Sequence, residues 1–338
     1  MRVLVTGATG LIGASVAREL AARGHAVRAL VRAASDPAPL AGIAVELARG
    51  DVLDAASVRA ALAGCDAVVH LAGIPRIGAD PKDIAEVNVA GTELILGAAR
   101  EAGVARAIHT SSISAAGGTR MPEVLGEDAP GNAEALAIPY FLSKLRGERA
   151  ALAEAARGLP VVVLRPGVVL GPGDTHRSSA SLVVAVAKRR LPAVLPGGTS
   201  FCDVRDVAAA FAAALERGRP GEVYALGGHN LGLGEFAARA AAIAGVPAPA
   251  RVPYPVAWVL AAAAEAGAAL RGRRAPTNRD LARAGSLYTY VSSEKATREL
   301  GYRIRPLDEM IRDTLRDALA TGRLRAETPE LRALATPG

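Results

Sequence analysis

The chain has 338 residues, 51% of them hydrophobic, and a formal net charge of +7. That supply of apolar residues supports a sizeable core and argues against disorder, while an aromatic content of 3% argues against a stacking platform for single-stranded nucleic acid. The two cysteines, Cys65 and Cys202, belong to no CxxC or Cys/His grouping, which speaks against a disulfide framework and a zinc site. No charged leader with a cleavable apolar region opens the sequence, and no uninterrupted apolar run reaches spanning length. A cytoplasmic protein without a membrane span is expected. The basic clusters 188–190 and 271–274 read as solvated surface, and no nucleic-acid partner is expected.

In chain order, Val3–Val5 reads as a first strand and the run from Gly10 to Ala22 as the helix after it. Between them lies Thr6-Gly7-Ala8-Thr9-Gly10-Leu11-Ile12-Gly13. Glycines three apart allow a tight turn, close backbone approach to a pyrophosphate, and close helix–strand contact. The helix N-terminus then offers unpaired N–H groups and partial positive charge to phosphates. A glycine pattern alone is weak evidence, but between a strand and a helix it predicts a dinucleotide cradle. A second strand, Ala26–Val31, runs into Arg32, and no acid follows before Asp36. An acid at that point would suit the ribose 2′-hydroxyl of NAD, whereas an arginine suits a 2′-phosphate. NADP(H) is therefore favoured over NAD(H).

Val45–Ala48, Asp66–His70, Ala105–His109 and Val161–Leu164 continue the strands as short apolar runs. They alternate with amphipathic stretches such as Ile84–Ala102 and Tyr140–Ala156, which predicts an α/β fold, a Rossmann-type doubly wound parallel sheet. Just past one strand, Thr110-Ser111-Ser112-Ile113-Ser114 falls at the carboxyl end, where such sheets bind ligands. A serine there can hydrogen-bond a substrate carbonyl; Ser112 is the first choice and Ser114 the second. Tyr140 and Lys144 stand four apart in a helical stretch and so share a face. A phenol with a reference pKa of about 10 needs help to exchange protons near neutrality, and a lysine ammonium beside it lowers that value. Tyr140 is the expected acid/base, with Lys144 as its partner.

After Pro166 the pattern changes to Gly/Pro loops, a helix beyond Val204, a strand at Glu222–Leu226, and a helical, Pro-punctuated remainder. The expected organisation is a nucleotide-binding domain over 1–166, to which 200–227 returns. A smaller, mainly helical substrate lobe covers 167–199 and 228–320, and a weakly held tail covers 321–338. His176, Cys202, Tyr254 and Trp258 are within the set that could reach a substrate, although each equally suits packing.

These motifs resemble an extended short-chain dehydrogenase/reductase, of the NAD-dependent epimerase/dehydratase superfamily, from Met1 to about Ala320. The closest likeness is to the dihydroflavonol-reductase-like branch, which includes hopanoid-associated sugar epimerase-like proteins. It is carried by Thr6 to Gly13, Gly50-Asp51-Val52, His70 to Gly73, Asn88 to Thr92, Thr110 to Ser112, Tyr140 to Lys144, Arg165-Pro166, and Ser292 to Tyr302. The resemblance implies that Asp51 and Val52 contact the adenine, and that Leu71, Ala72 and Gly73 line the cofactor cleft. It also implies that Lys144 holds the nicotinamide ribose, that Pro166 lies against the nicotinamide, and that Arg32 faces the 2′-phosphate. Asn88 is implied as a supporting residue, and paired helices suggest a homodimer by analogy.

The sequence departs from the sugar epimerases at Ala116-Gly117, where they carry a tyrosine before the glycine. It departs again at Thr199-Ser200-Phe201, where they carry an Arg-Asp-Phe element for the substrate diphosphate. The expected function is NADP(H)-dependent hydride transfer between a ketone or aldehyde and an alcohol, on a small-molecule substrate. The alternative is a nucleotide-sugar epimerase or dehydratase with tightly held NAD(P). A catalytically silent cofactor sensor is disfavoured by the intact Ser112, Tyr140 and Lys144.

Overall fold

The alternating apolar runs pair into a seven-stranded parallel sheet: β1 Arg2–Thr6, β2 Ala26–Val31, β3 Val45–Arg49, β4 Ala67–His70, β5 Arg106–Thr110, β6 Val161–Pro166 and β7 Val223–Leu226. The structure is a computed structural model, and it describes residues 1–174, 181–191, 193–272, 275 and 277–336. Spatial order is β7-β6-β5-β4-β1-β2-β3, so the strand order reverses between β1 and β4. Ligands of such sheets bind in the crevice outside the carboxyl ends at that switch point.

Why these strands are apolar throughout is seen in the two cores. Val3, Val5, Ala29, Val69, Ile108 and Leu164 face one side, with Leu11–Ala22 and Val204–Arg217 packed over them. Leu4, Leu30, Val68, Ala107, Val161 and Val163 face the other, under Ala55–Leu62, Gly91–Glu101 and Pro139–Ala156. A strand with both faces covered has no solvent face on which to place polar residues.

The remainder is mainly helical, as expected, but its helices stand on a small mixed sheet absent from the sequence reading. Gly198–Asp203 is its centre, pairing antiparallel with His229–Gly232 and parallel with Val168–Leu170 and Tyr288–Val291. The last of these pairs with Val124–Leu125. Only Gly167 separates β6 from Val168–Leu170, so one continuous stretch passes from the first sheet to the second. A Cβ at Gly167 would lie 2.4 Å from the Ser200 carbonyl oxygen, which requires glycine at this crossing.

The expectation of a weakly held tail is corrected. Pro329–Ala335 is helical, Leu331 is buried beside Phe236, Met310 and Leu315, and the Thr328 hydroxyl donates to the Ala244 carbonyl at 2.7 Å. The composition after residue 321 lacks long apolar runs, and a single buried leucine in a short helix leaves little periodic signal.

Candidate active site

The glycine loop leaves β1 through Gly7, whose φ of +66° places it in the left-handed region. A Cβ there would meet the Ala72 nitrogen at 2.7 Å, and one at Gly13 would fall 2.1 Å from the Gly7 carbonyl oxygen. These two glycines let the loop, the end of β4 and the first helix close on one another. Gly10 differs: its added Cβ would meet only the Gly7 carbonyl oxygen, at 3.4 Å, so the space above it is open. The helix Leu11–Ala22 starts there with no side-chain cap and no acid in its first turn. Its N–H groups therefore face that open side, and the cradle fits a pyrophosphate. Thr9, Leu11 and Ile12 complete the turn, with Leu11 buried.

Behind the cradle, buried polar groups link the loop to the catalytic helix. The Thr6 hydroxyl oxygen accepts N–H groups from Leu71 and Ala72 at 3.2 and 3.1 Å and lies 2.8 Å from His70 Nδ1. Thr92 donates to the Asn88 carbonyl at 2.9 Å, so at 3.1 Å from His70 Nε2 it is left to accept. These roles put the His70 proton on Nε2. Burial, aided by the Lys144 charge, brings the imidazole down to about 3 and keeps it neutral. Asn88 accepts the Ile74 N–H at 2.7 Å and donates to Ser143 Oγ at 3.0 Å, and Ser143 donates to the Tyr140 carbonyl at 2.8 Å. Leu71, Ala72 and Gly73 are thus pinned from both sides.

Asn88 reaches this position because Glu86–Ala90 winds as a π-helix between Pro81–Ala85 and Gly91–Glu101. One wide turn rotates Asn88 inward, a device that recurs at functional sites. Gly147 lets the catalytic helix approach it; a Cβ there would lie 2.5 Å from the Asn88 carbonyl oxygen. Sequence periodicity reads the whole stretch as one helix and gives no sign of the wide turn.

Tyr140 and Lys144 lie on Pro139–Ala156, with Pro139 at the first helical position. The phenol is buried, and Ser112 is the neighbouring side chain that acts on it against the effect of burial. Lys144 Nζ donates to the Thr110 carbonyl at 3.1 Å. Burial raises the Tyr140 phenol above its ordinary value, and Ser112 opposes that shift. The Lys144 ammonium, one helical turn along from Tyr140, is anchored at the end of β5. Burial also lowers Lys144 to about 8, against the opposing Glu148 charge. Ser112 opens the short 3₁₀ turn Ile113–Ala115 and accepts the Ser114 N–H at 3.2 Å. Glu148 pairs with Arg165 through two contacts of 2.8 and 2.5 Å, tying the catalytic helix to β6 next to the buried Pro166.

Arg32 leaves the end of β2 exposed, and its side chain makes no ion pair or hydrogen bond among the described residues. The one acid nearby, Asp36, is turned into its own loop and accepts the Ala38 N–H at 2.9 Å. Sequence reasoning missed Arg49. It faces Val31 in the strand register, is exposed, and donates to the Arg32 carbonyl at 3.3 Å. Its signal was an arginine at the end of the neighbouring strand, visible only once the register is known. The Asp51 carboxylate accepts the Leu53 N–H at 3.0 Å, and Val52 is buried.

Other candidates fall away from this centre. Cys202 is buried in Gly198–Asp203, its thiol raised to about 12 by burial. Tyr254 and Trp258 belong to an outlying helix, and His176 lies outside the described residues. Thr199, Ser200 and Phe201 are all buried: Thr289 donates to Thr199 at 2.8 Å, Gly228 donates to Ser200 at 2.8 Å, and Phe201 stacks on Phe236 at 3.9 Å.

A sheet of this strand order, with such a cradle at its switch point and a Ser–Tyr–Lys group beside it, defines the class of nicotinamide-dependent enzymes. The profile of the NAD dependent epimerase/dehydratase family matches residues 3–227, and the chain belongs to that family. It is 36% identical over 257 residues to sterol demethylase protein B of Methylococcus capsulatus, covering 74% of this chain and 76% of that one. A 4-hydroxy-2-methyl-3-oxo-4-farnesyl-3,4-dihydroquinoline-1-oxide ketoreductase of Stigmatella aurantiaca is 31% identical over 331 residues, 95% of this chain and 98% of its own. Among solved structures, the UDP-glucose 4-epimerase of Thermus thermophilus in complex with NAD superimposes with a TM-score of 0.74 at 27% identity, over 94% and 98% of the two chains. The chain is accordingly an oxidoreductase-type enzyme of the extended short-chain dehydrogenase/reductase kind, as its motifs implied.

Proposed function

We propose that this enzyme uses NADP(H) to interconvert a ketone or aldehyde and the corresponding alcohol, with Tyr140 as the acid/base. The buried Tyr140 phenol, beside Ser112 and one helical turn from Lys144, is the observation that carries the reading. A nicotinamide held in the cleft supplies or takes the hydride. Burial keeps the phenol protonated at neutral pH, so Tyr140 enters reduction as the acid and gives its proton to the carbonyl oxygen. In oxidation it takes the proton back. Ser112 hydrogen-bonds the same oxygen and steadies the developing charge. Lys144, fixed at the end of β5, holds the cofactor ribose.

Arg32, with Arg49 beside it, meets the 2′-phosphate, and two guanidiniums without acidic partners among the described residues suit that dianion. Thr6, Gly7, Thr9, Gly10, Leu11, Ile12 and Gly13 hold the pyrophosphate, Asp51 and Val52 the adenine, and Leu71, Ala72, Gly73 and Pro166 line the nicotinamide half. The ketoreductase likeness favours a small-molecule carbonyl substrate. Thr199 to Phe201, committed to the core, leave no arginine there for a sugar diphosphate. The enzyme is read as cytoplasmic, in keeping with two free, buried cysteines.

Nicotinamide absorbance with NADPH or NADH and a panel of aldehydes and ketones tests the reading. Tyr140→Phe is expected to lower turnover by roughly 10²-fold or more. Arg32→Ala is expected to weaken NADPH, and not NADH, on the order of tenfold. Nicotinamide retained through purification with no carbonyl turned over would transfer the reading to the epimerase or dehydratase class.

A further inference from the structure

The helix Tyr254–Ala269 is the least covered apolar element of the described structure. Its sequence, YPVAWVLAAAAEAGAA, contains one ionisable side chain besides its terminal tyrosine, and only Ala261 is fully buried. Val256, Val259, Leu260, Ala263, Ala266 and Leu270 are all exposed, Val259 at 60% and Leu270 at 89%. Their spacing of three and four residues sets them on one face, while Trp258, 39% exposed, lies round the helix on the side of the buried Ala261. Monomeric proteins rarely leave a contiguous apolar face of this kind without an occupant.

The charges around the stripe decide which occupant. Glu265, its one acid, turns to the supporting helix Arg279–Ala284, where Arg279 meets it at 2.6 Å through Nε and 3.0 Å through the backbone N–H. Exposed guanidiniums stand at both ends. Arg251 precedes the helix, and Arg271 follows it, donating to the Gly267 carbonyl at 2.9 Å. Neither has a carboxylate partner among the described residues. An apolar stripe bracketed by unpaired arginines complements the headgroup boundary of an anionic bilayer. An antiparallel pairing with a second copy would set Arg251 of each against Arg271 of the other, with no free acid to neutralise them. No helix among the described residues is long and apolar enough to cross a membrane, and at 16 residues this one spans about 24 Å along its axis.

We propose that Tyr254–Ala269 docks the enzyme, lying flat, on the surface of an anionic phospholipid membrane. Its supporting helix shares a cluster with the catalytic region, since Ala284 and Leu287 pack with Tyr140 and Phe141. Docking therefore sets the substrate side of the enzyme near the lipid. The inference stands independently of the reaction assigned above.

The full chain is mixed with vesicles of phosphatidylcholine alone or with phosphatidylglycerol added, and read by co-sedimentation. Trp258 is the only tryptophan, so its emission reports this helix alone. Expected are binding on the order of tenfold stronger to the anionic vesicles, a blue shift of Trp258, and weakening by salt. Val259→Glu with Leu260→Glu abolishes both signals and leaves thermal unfolding unchanged. Absence of vesicle binding overturns the proposal. If the protein is then a dimer that the double variant splits, the face belongs to self-association; if it is a monomer, the face has neither role.

Discussion

Lys144 carries a conflict between burial and charge. Its lowering to about 8 means the folded enzyme binds fewer protons than the unfolded chain between that pH and the ordinary lysine value of 10.5. Below about 8 the ammonium is present in both states and its burial costs stability. As pH rises from about 8 towards 10.5, the folded protein sheds the proton first and that cost is relieved. Lys144→Met is therefore expected to be more stable than the native enzyme at neutral pH, with the gap narrowing as pH rises through this window. Chemical unfolding of both proteins at several pH values measures it; a gap independent of pH would refute the assigned shift. The placement of Tyr140 and Lys144 on one helix and of Ser112 at a strand end was legible from their spacing and from the strand before Ser112. The anchoring of Lys144 Nζ on the Thr110 carbonyl was not, since it depends on how the helix docks against β5.

At the scale of elements, a buried ion pair ties the helix Pro139–Ala156 to β6. Glu148 and Arg165 are only 4% and 12% exposed along their side chains, so neither charge has water to fall back on. Glu148→Gln leaves the guanidinium uncompensated, with an expected loss of about 3–5 kcal/mol. Adding Arg165→Gln should recover much of it, and denaturant titration of the single and double variants reads the difference. The strands of the main sheet were legible to within one or two residues, because a strand covered on both faces is a short, continuous apolar run. The small sheet was not. His229–Gly232 and Val124–Leu125 are strands only through partners distant in sequence, and four or two residues carry no period of their own. The π-turn at Glu86–Ala90 is likewise silent, since its extra residue shifts the helical phase without changing composition.

Across the whole molecule, the second lobe is closed by the last described helix. Leu331 completes a cluster with Phe236, Met310, Ile311 and Leu315. Leu331→Ala is expected to cost about 2–5 kcal/mol, measured as a lower midpoint of unfolding; an unchanged midpoint would restore the loosely held tail. The fold class and the switch-point crevice could be read in advance from alternating strands and helices and one glycine loop. The uncovered helix Tyr254–Ala269 could not, because its composition suits a buried helix as well as an exposed one.

The chain's route between its two sheets bears on how it is made. The first six strands of the nucleotide-binding sheet are complete at residue 166, yet the helix that joins Leu11–Ala22 in covering one face is Val204–Arg217, and the edge strand is Val223–Leu226. A growing polypeptide must build part of the other lobe before either arrives. During that interval Val5, Ile108 and Leu164 lack part of their cover, a condition that invites association between nascent chains. A nonsense codon between residues 166 and 217 would thus release a sticky fragment with an incomplete sheet, and a ribosome pause there would prolong its exposure, in either case a natural client for a chaperone.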